Sequence, residues 1–394
     1  MDIFSNSSVN LDLLKERAYN LRWAEVPDGV IPLTAADQDF PVAPEIQQAL
    51  IAYIQGGYFP YVPGRGLPAF RNAMSKALLS RKGEQIPPDL ILPVDSAASG
   101  MMSIARAFLR PGDEVLVFDP VDFLFRTTME AAGAVVRLFP SRIRDGYVSL
   151  EGLEDYLTPK TRMLGLCNPH NPLGLLYRRE ELSRLLDLSE RYGFYIMNDE
   201  IWSDIIYPDG EFISLHSFGA ERNRRTVSVY GFSKAFCLAG LRVGAVYASE
   251  ASVYEAVAKA SMSDATVGGV SSLSQIAATA ALEQAYGRVD AFVAHLTANR
   301  DYALARLNAM PGIRCHKATA TFVLFPDITG TGMEPVPFTE LLKERYRLSI
   351  VPGGERFFGP GSEGHVRICL ATSREILEEG LNRLEACVTD LARR

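Results

Sequence analysis

The chain has 394 residues, of which 47% are hydrophobic and 22% charged, a composition that excludes disordered, collagen-like and disulfide-dense chains. Its 47 acidic residues against 40 basic ones leave a net charge of −7, and with the basic residues spread out no nucleic-acid partner is expected. Five scattered cysteines without zinc-type spacing, no basic-apolar leader and no apolar run of ~18 residues indicate free thiols, no membrane span and a cytoplasmic enzyme.

The segment before residue 45, with Pro32, Pro41 and Pro44, does not fit the main sheet and is expected to join the C-terminal tail. Ser99–Leu109 has helical apolar spacing. Glu114–Phe118, Ala134–Phe139, Met163–Cys167, Phe194–Met197, Thr226–Tyr230 and Gly244–Ala248 read as strands, most of them apolar throughout as in sheets covered on both faces. Glu180–Tyr192 reads as a crossover helix, acidic at its start. The alternation predicts an α/β fold around a mostly parallel, doubly wound sheet. Leu273–Tyr286 and Val289–Met310 follow as helices, Thr321–Phe325, Ser349–Val351 and Val366–Leu370 as short strands, and Ser373–Leu391 as a closing helix. The expected division is a large domain, 46–285, and a small α+β domain built from 1–45 and 286–394.

The run Tyr230-Gly231-Phe232-Ser233-Lys234-Ala235-Phe236-Cys237-Leu238-Ala239-Gly240-Leu241-Arg242-Val243-Gly244 sets a lysine in apolar, glycine-dotted surroundings. Desolvation and a neighbouring cation, with Arg242 as the candidate, would lower its pKa, as an imine-forming lysine requires. A surface lysine in a loop is the plain alternative. The rest of the run favours the first reading: Ser233-Lys234 followed by Gly240-Leu241-Arg242-Val243-Gly244 resembles the S-K-x-x-x-x-x-G-x-R-x-G signature of the class I/II aminotransferases, which are fold-type I pyridoxal-phosphate enzymes.

The resemblance implies a fold-type I transferase with pyridoxal 5′-phosphate as cofactor, Lys234 as its Schiff-base lysine, and Ser233 and Arg242 on the phosphate. Asn198-Asp199-Glu200-Ile201-Trp202 closes a strand, and the family's aspartate on the pyridine nitrogen maps to Asp199, with Trp202 as an aromatic flank. In Cys167-Asn168-Pro169-His170-Asn171-Pro172-Leu173-Gly174 the asparagine on the cofactor's 3-oxygen maps to Asn171. The phosphate-binding helix start maps to Asp95-Ser96-Ala97-Ala98-Ser99, with backbone contacts from Ala97 and Ala98 and with Ser96 where the family commonly has glycine. Two residues beyond Asp119-Pro120 the family has a ring stacked on the cofactor; this chain has Asp122 there and Phe123 next, and Phe123 is taken as that ring.

Arg367 interrupts an apolar strand, where the family's arginine for the substrate α-carboxylate lies; Ala36 and Asn171 complete the substrate side. Tyr61 matches a tyrosine that reaches the neighbouring subunit's phosphate, which implies a homodimer. The implied reaction moves an amino group from an L-amino acid to a 2-oxo acid. Ala36-Asp37-Gln38-Asp39-Phe40-Pro41 and Leu238-Ala239-Gly240-Leu241 also resemble the cystathionine β-lyase-like branch, so a C–S β-lyase is the alternative, although Trp202 replaces that branch's usual histidine. A catalytically silent pyridoxal-phosphate-binding protein is the third reading.

Overall fold

The computed structural model describes residues 3–17, 22–265 and 267–393. A short strand β1 (Ile31–Pro32) stands apart from the central sheet. That sheet contains β2 (Ile91–Val94), β3 (Glu114–Asp119), β4 (Val135–Pro140), β5 (Thr161–Cys167), β6 (Tyr195–Asp199), β7 (Thr226–Gly231) and β8 (Gly244–Ala248). Their spatial order is β2-β8-β7-β6-β5-β3-β4. Only β8 runs against the others, antiparallel to both β2 and β7. The link explains the reversal: residues 232–243 return directly from β7 to β8, without the helical crossover that a parallel neighbour needs.

All six strands that the pattern predicts for this sheet are present. The seventh, β2, lies outside that expectation because Pro93 interrupts it. A proline cannot donate to the ladder, and it is tolerated here because β2 is an edge strand.

Helices cover the sheet, among them α1 (Ala97–Phe108), α2 (Phe123–Ala131) and α3 (Arg179–Tyr192). Helix α1 sits unusually close to β8, since a Cβ at Gly100 would come within 2.7 Å of Val246 Cγ2. Helix α3 begins with Glu180 and Glu181 and ends at Gly193 in left-handed backbone, φ 74°, the charge and cap pattern a helix favours.

The tail holds the helices α4 (Tyr286–Ala309) and α5 (Arg374–Ala392) and the strands β9 (Val323–Leu324), β10 (Leu348–Ser349), β11 (Val351–Pro352) and β12 (Val366–Cys369). The N-terminal segment joins it: β1 pairs in parallel with β10, Ile31 opposite Leu348. Phe4 and Phe40 pack edge to face at 5.0 Å, and both rings lie against Phe292 of α4. Two expectations are corrected. Ser349–Val351 is not one strand, because β10 pairs with β1 while β11 pairs with β12. Thr321–Phe325 shortens to β9, because Thr321 takes a left-handed φ of 68°. Among the described residues no helix is long and apolar enough to cross a membrane.

Candidate active site

β5, β6 and β7 end side by side, with Cys167 paired to Asp199 and Asp199 to Val229. The loops leaving these ends carry Asn171, Asp199 and Lys234, at the edge where open parallel sheets bind ligands.

Lys234 belongs to a one-turn helix, Ser233–Phe236, just after β7. Its Nζ donates to Ala36 O at 2.7 Å and lies 5.3 Å from the centre of the Trp202 ring. Gln38 Nε2 donates to the Lys234 carbonyl at 2.6 Å, so residues 34–38 form a strap across the lysine. Arg22 fastens that strap, donating to Ala35 O, Asp37 O and Asp39 Oδ2 at 3.0, 2.8 and 2.7 Å. Burial lowers the Lys234 pKa below its ordinary value; Asp37 opposes this and Arg367 adds to it. The cation acting on the lysine is therefore Arg367 rather than the expected Arg242. Arg242 itself is exposed, with left-handed backbone at φ 52°.

Asp199 is buried at the end of β6, and its Oδ1 accepts the Ile201 N–H at 3.0 Å. Burial pushes its carboxyl up to about 7; the Ile201 N–H pulls it down, Asp122 pushes it up, and Lys234 pulls it down. Such a group gains from any protonated nitrogen placed against it.

Asn171 joins two charged side chains. Its Oδ1 accepts from Arg367 Nη1 at 3.3 Å, and its Nδ2 donates to Asp122 Oδ2 at 2.9 Å. Arg367 is only 8% exposed; its Nη2 donates to Thr34 O at 3.3 Å, and its guanidinium lies 5.1 Å from the centre of the Phe358 ring. Its Nε is buried with no partner, a donor that calls for an acceptor. Asp122 caps α2 through Oδ1, which accepts the Leu124 N–H at 3.1 Å. Asp122 is thus tied to Asn171. Phe123 is 42% exposed and its N–H donates to Phe357 O; about 100° of helical rotation separates adjacent side chains.

At the start of α1, Ser96 Oγ accepts the Ser99 N–H at 3.1 Å. The N–H groups of Ala97 and Ala98 have no acceptor within the helix. Gly231 and Gly244, paired across β7 and β8, let this helix start approach closely: a Cβ at Gly244 would lie 3.3 Å from Ala97 N. Ser233 stands two residues after Gly231, and free N–H groups at a helix start suit an anion. The serine at 96 thus serves as a cap where glycine is usual.

Trp202 is 2% exposed and packs edge to face on Phe322 at 4.6 Å, so it is both core and wall of the site. Tyr61 is 93% exposed and takes no part in these bonds. Its segment is pinned by Arg65, which donates to Glu255 at 2.6 and 2.9 Å and to Asp264 at 2.7 and 2.8 Å. The assembled groups fit pyridoxal phosphate: an anion seat, a buried acid for a ring nitrogen, an amide donor and a lysine with a lowered pKa.

Residues 28–384 match the family model described as Aminotransferase class I and II. The chain belongs to this family. It is 33% identical over 359 residues, 91% of each chain, to an aspartate aminotransferase from Thermotoga maritima. An aromatic aminotransferase from Pyrococcus horikoshii superposes with a TM-score of 0.86 at 29% identity, covering 92% of this chain and 97% of that one. Cystalysin from Treponema denticola, which contains pyridoxal 5′-phosphate, superposes with a TM-score of 0.89 over 96% and 97% of the two chains. At 23% identity that likeness is one of fold alone. The aminotransferase uses pyridoxal 5′-phosphate, and its substrates are an amino acid and a 2-oxo acid.

Sequence reasoning did not single out several residues that the aminotransferase builds into this site: Thr34, Gln38 and Phe358. It also gave none to Glu200, next to Asp199. Glu200 is buried and accepts from Lys82 at 3.3 Å, Asn198 at 2.7 Å and Ser214 at 2.8 Å; Lys82, Ser214 and Asn198 hold it ionised below its ordinary value against the cost of burial. The acidic word Asn198-Asp199-Glu200 was the available signal; nothing local announces Lys82 as its partner.

Proposed function

We propose that Lys234 carries the cofactor and moves the proton between the substrate's Cα and the cofactor, while Arg367 holds the substrate α-carboxylate. The observation that carries this reading is the meeting of two cations from different sheets, the arginine with an unpartnered Nε and the lysine whose pKa burial and that arginine lower. Bound pyridoxal phosphate supplies an electron sink for the pair left at Cα. Asp199 keeps a proton on the cofactor's ring nitrogen, Asn171 donates from Nδ2, and Ala97, Ala98, Ser233 and Arg242 seat the phosphate. Trp202 closes one side and the Ala36 carbonyl orients the lysine. The relatives are named for aspartate and for aromatic amino acids, so no single donor carries over.

The test is a half-reaction. Mixed with a panel of L-amino acids that includes L-cystathionine, the holoenzyme is expected to pass to a stable amine-form spectrum without releasing pyruvate or ammonia. Pyruvate release with the starting spectrum restored would overturn transamination in favour of β-elimination.

We also propose a cytoplasmic homodimer in which Tyr61 reaches the partner's phosphate, with 46–285 as its large domain and 1–45 with 286–394 as the small one. The exposure of Tyr61, together with exposed Tyr58 and Phe59 beside it, supports the dimer, and five free cysteines support the compartment. Sedimentation is expected at twice the chain mass, with Tyr61→Phe weakening cofactor retention. A monomer that holds cofactor equally well removes Tyr61 from the site.

A further inference from the structure

We propose that Asp122 and Asp37 select the substrate by charge: the aminotransferase takes amino acids with neutral or cationic side chains and rejects dicarboxylic ones. The proposal rests on the aminotransferase reading and names the substrate class of the same site.

The geometry starts at Asn171. One face of its amide receives Arg367 at 3.3 Å, and the other donates to Asp122 at 2.9 Å. A single amide therefore separates the guanidinium assigned to the α-carboxylate from a carboxylate. Asp37 lies on the strap, next to the Ala36 carbonyl that takes Lys234 Nζ. Both aspartates act electrostatically on Lys234, and Asp122 acts also on Asp199 and Arg367.

The hydrogen-bond donors that engage these two carboxylates are uncharged: the Asn171 amide and the Leu124 N–H for Asp122, and the Gln38 N–H for Asp37. Neither acid is cancelled by the bonds that fix it. The cations of the cluster are already assigned: Arg367 to the α-carboxylate, Lys234 to the amino group and cofactor, and Arg22, which also acts on Asp37, to the strap backbone and to Asp39 Oδ2 at 2.7 Å. Arg126 on α2 is committed to Glu355, with 3.3 Å to its Oε1 and 2.7 Å to its carbonyl. A substrate anchored by its α-carboxylate and amino group thus places its side chain beside two like-charged groups when that side chain is acidic. Selection by an adverse charge is as effective as selection by a favourable one, and in a partly buried site same-sign charges a few ångströms apart discriminate by tenfold or more.

The measurement is equilibrium titration of the holoenzyme with 2-methyl amino acids, which have no Cα proton to lose; the cofactor's absorption reports binding without turnover. The wild type is expected to bind 2-methylleucine and 2-methylornithine at least tenfold more tightly than 2-methylaspartate. Asp122→Asn keeps the cap through Oδ1 while giving up the acceptor for Asn171 Nδ2, whereas Asp37→Asn, made separately, keeps its acceptor for the Gln38 N–H and leaves Asn171 untouched; each is expected to narrow that ratio at least threefold. Equal binding of 2-methylaspartate by the wild type overturns the proposal, because a cation from elsewhere then outweighs both aspartates. A ratio unmoved in both variants overturns it as well. A wild type without a cofactor band would instead remove the aminotransferase reading itself.

Discussion

Replacing Lys234 with alanine is expected to lower the rate of amino transfer by about 10⁴-fold, the combined loss of a covalent anchor and a general base. The fold has little to lose. Burial already disfavours the lysine's charge, and the side chain's own bond is the single one to Ala36 O, so the stability change stays near ~1 kcal/mol. Stopped-flow absorbance with the donor identified in the half-reaction screen, beside thermal unfolding of the same samples, separates the two effects. A variant that retains a tenth of the wild-type rate on a folded chain would assign the proton transfer to another residue.

Asp199→Asn is expected to act on both rate and pH response. Asparagine cannot hold a charge-paired proton on the ring nitrogen, and losing one such preorganised contact costs about 10²–10³-fold in turnover. The stability effect belongs to the cofactor-free chain. The folded-state pKa of Asp199 is raised from 3.8 to about 7, so the native chain binds this proton more tightly than the unfolded one. Its stability contribution is full below the unfolded value and is lost as pH rises toward 7. Between pH 5 and 8 the cofactor-free wild type should lose about 3 kcal/mol relative to Asp199→Asn, at ~1.4 kcal/mol for each pH unit climbed on the way to the folded-state value. Urea unfolding of both proteins across that interval checks the slope. Parallel curves would show that Asp199 is not buried against its charge.

The sheet was legible because its strands are near-continuous apolar runs whose alternation with helices has few other solutions. Where a local rule competed, the reading failed for a physical reason. Pro93 concealed β2 because it forbids a central strand but not an edge. The short β-prone run Ser349-Ile350-Val351 concealed a division between two sheets that only the pairing partner of β10 decides. The site divided in the same way. Lys234, Asp199 and Asn171 announce themselves by motif at strand ends, whereas the cation that acts on Lys234 comes from β12, far along the chain. Sequence proximity pointed instead to Arg242. That Asp122 caps a helix and bonds Asn171 was partly legible, since aspartate is a residue type that caps well.

The strap over Lys234 also governs when the site can exist during synthesis. Ala36 and Gln38 leave the ribosome early, but β1 has no partner until residues 348–349 emerge, and Thr34 awaits Arg367. Pairings this distant in sequence close late and slowly. A nascent chain of two-thirds length can possess the whole central sheet with its lysine and aspartate, yet lack the cover and the arginine. Substrate binding through Arg367 is thereby deferred until the chain is nearly complete, and an interrupted product lacks its carboxylate anchor.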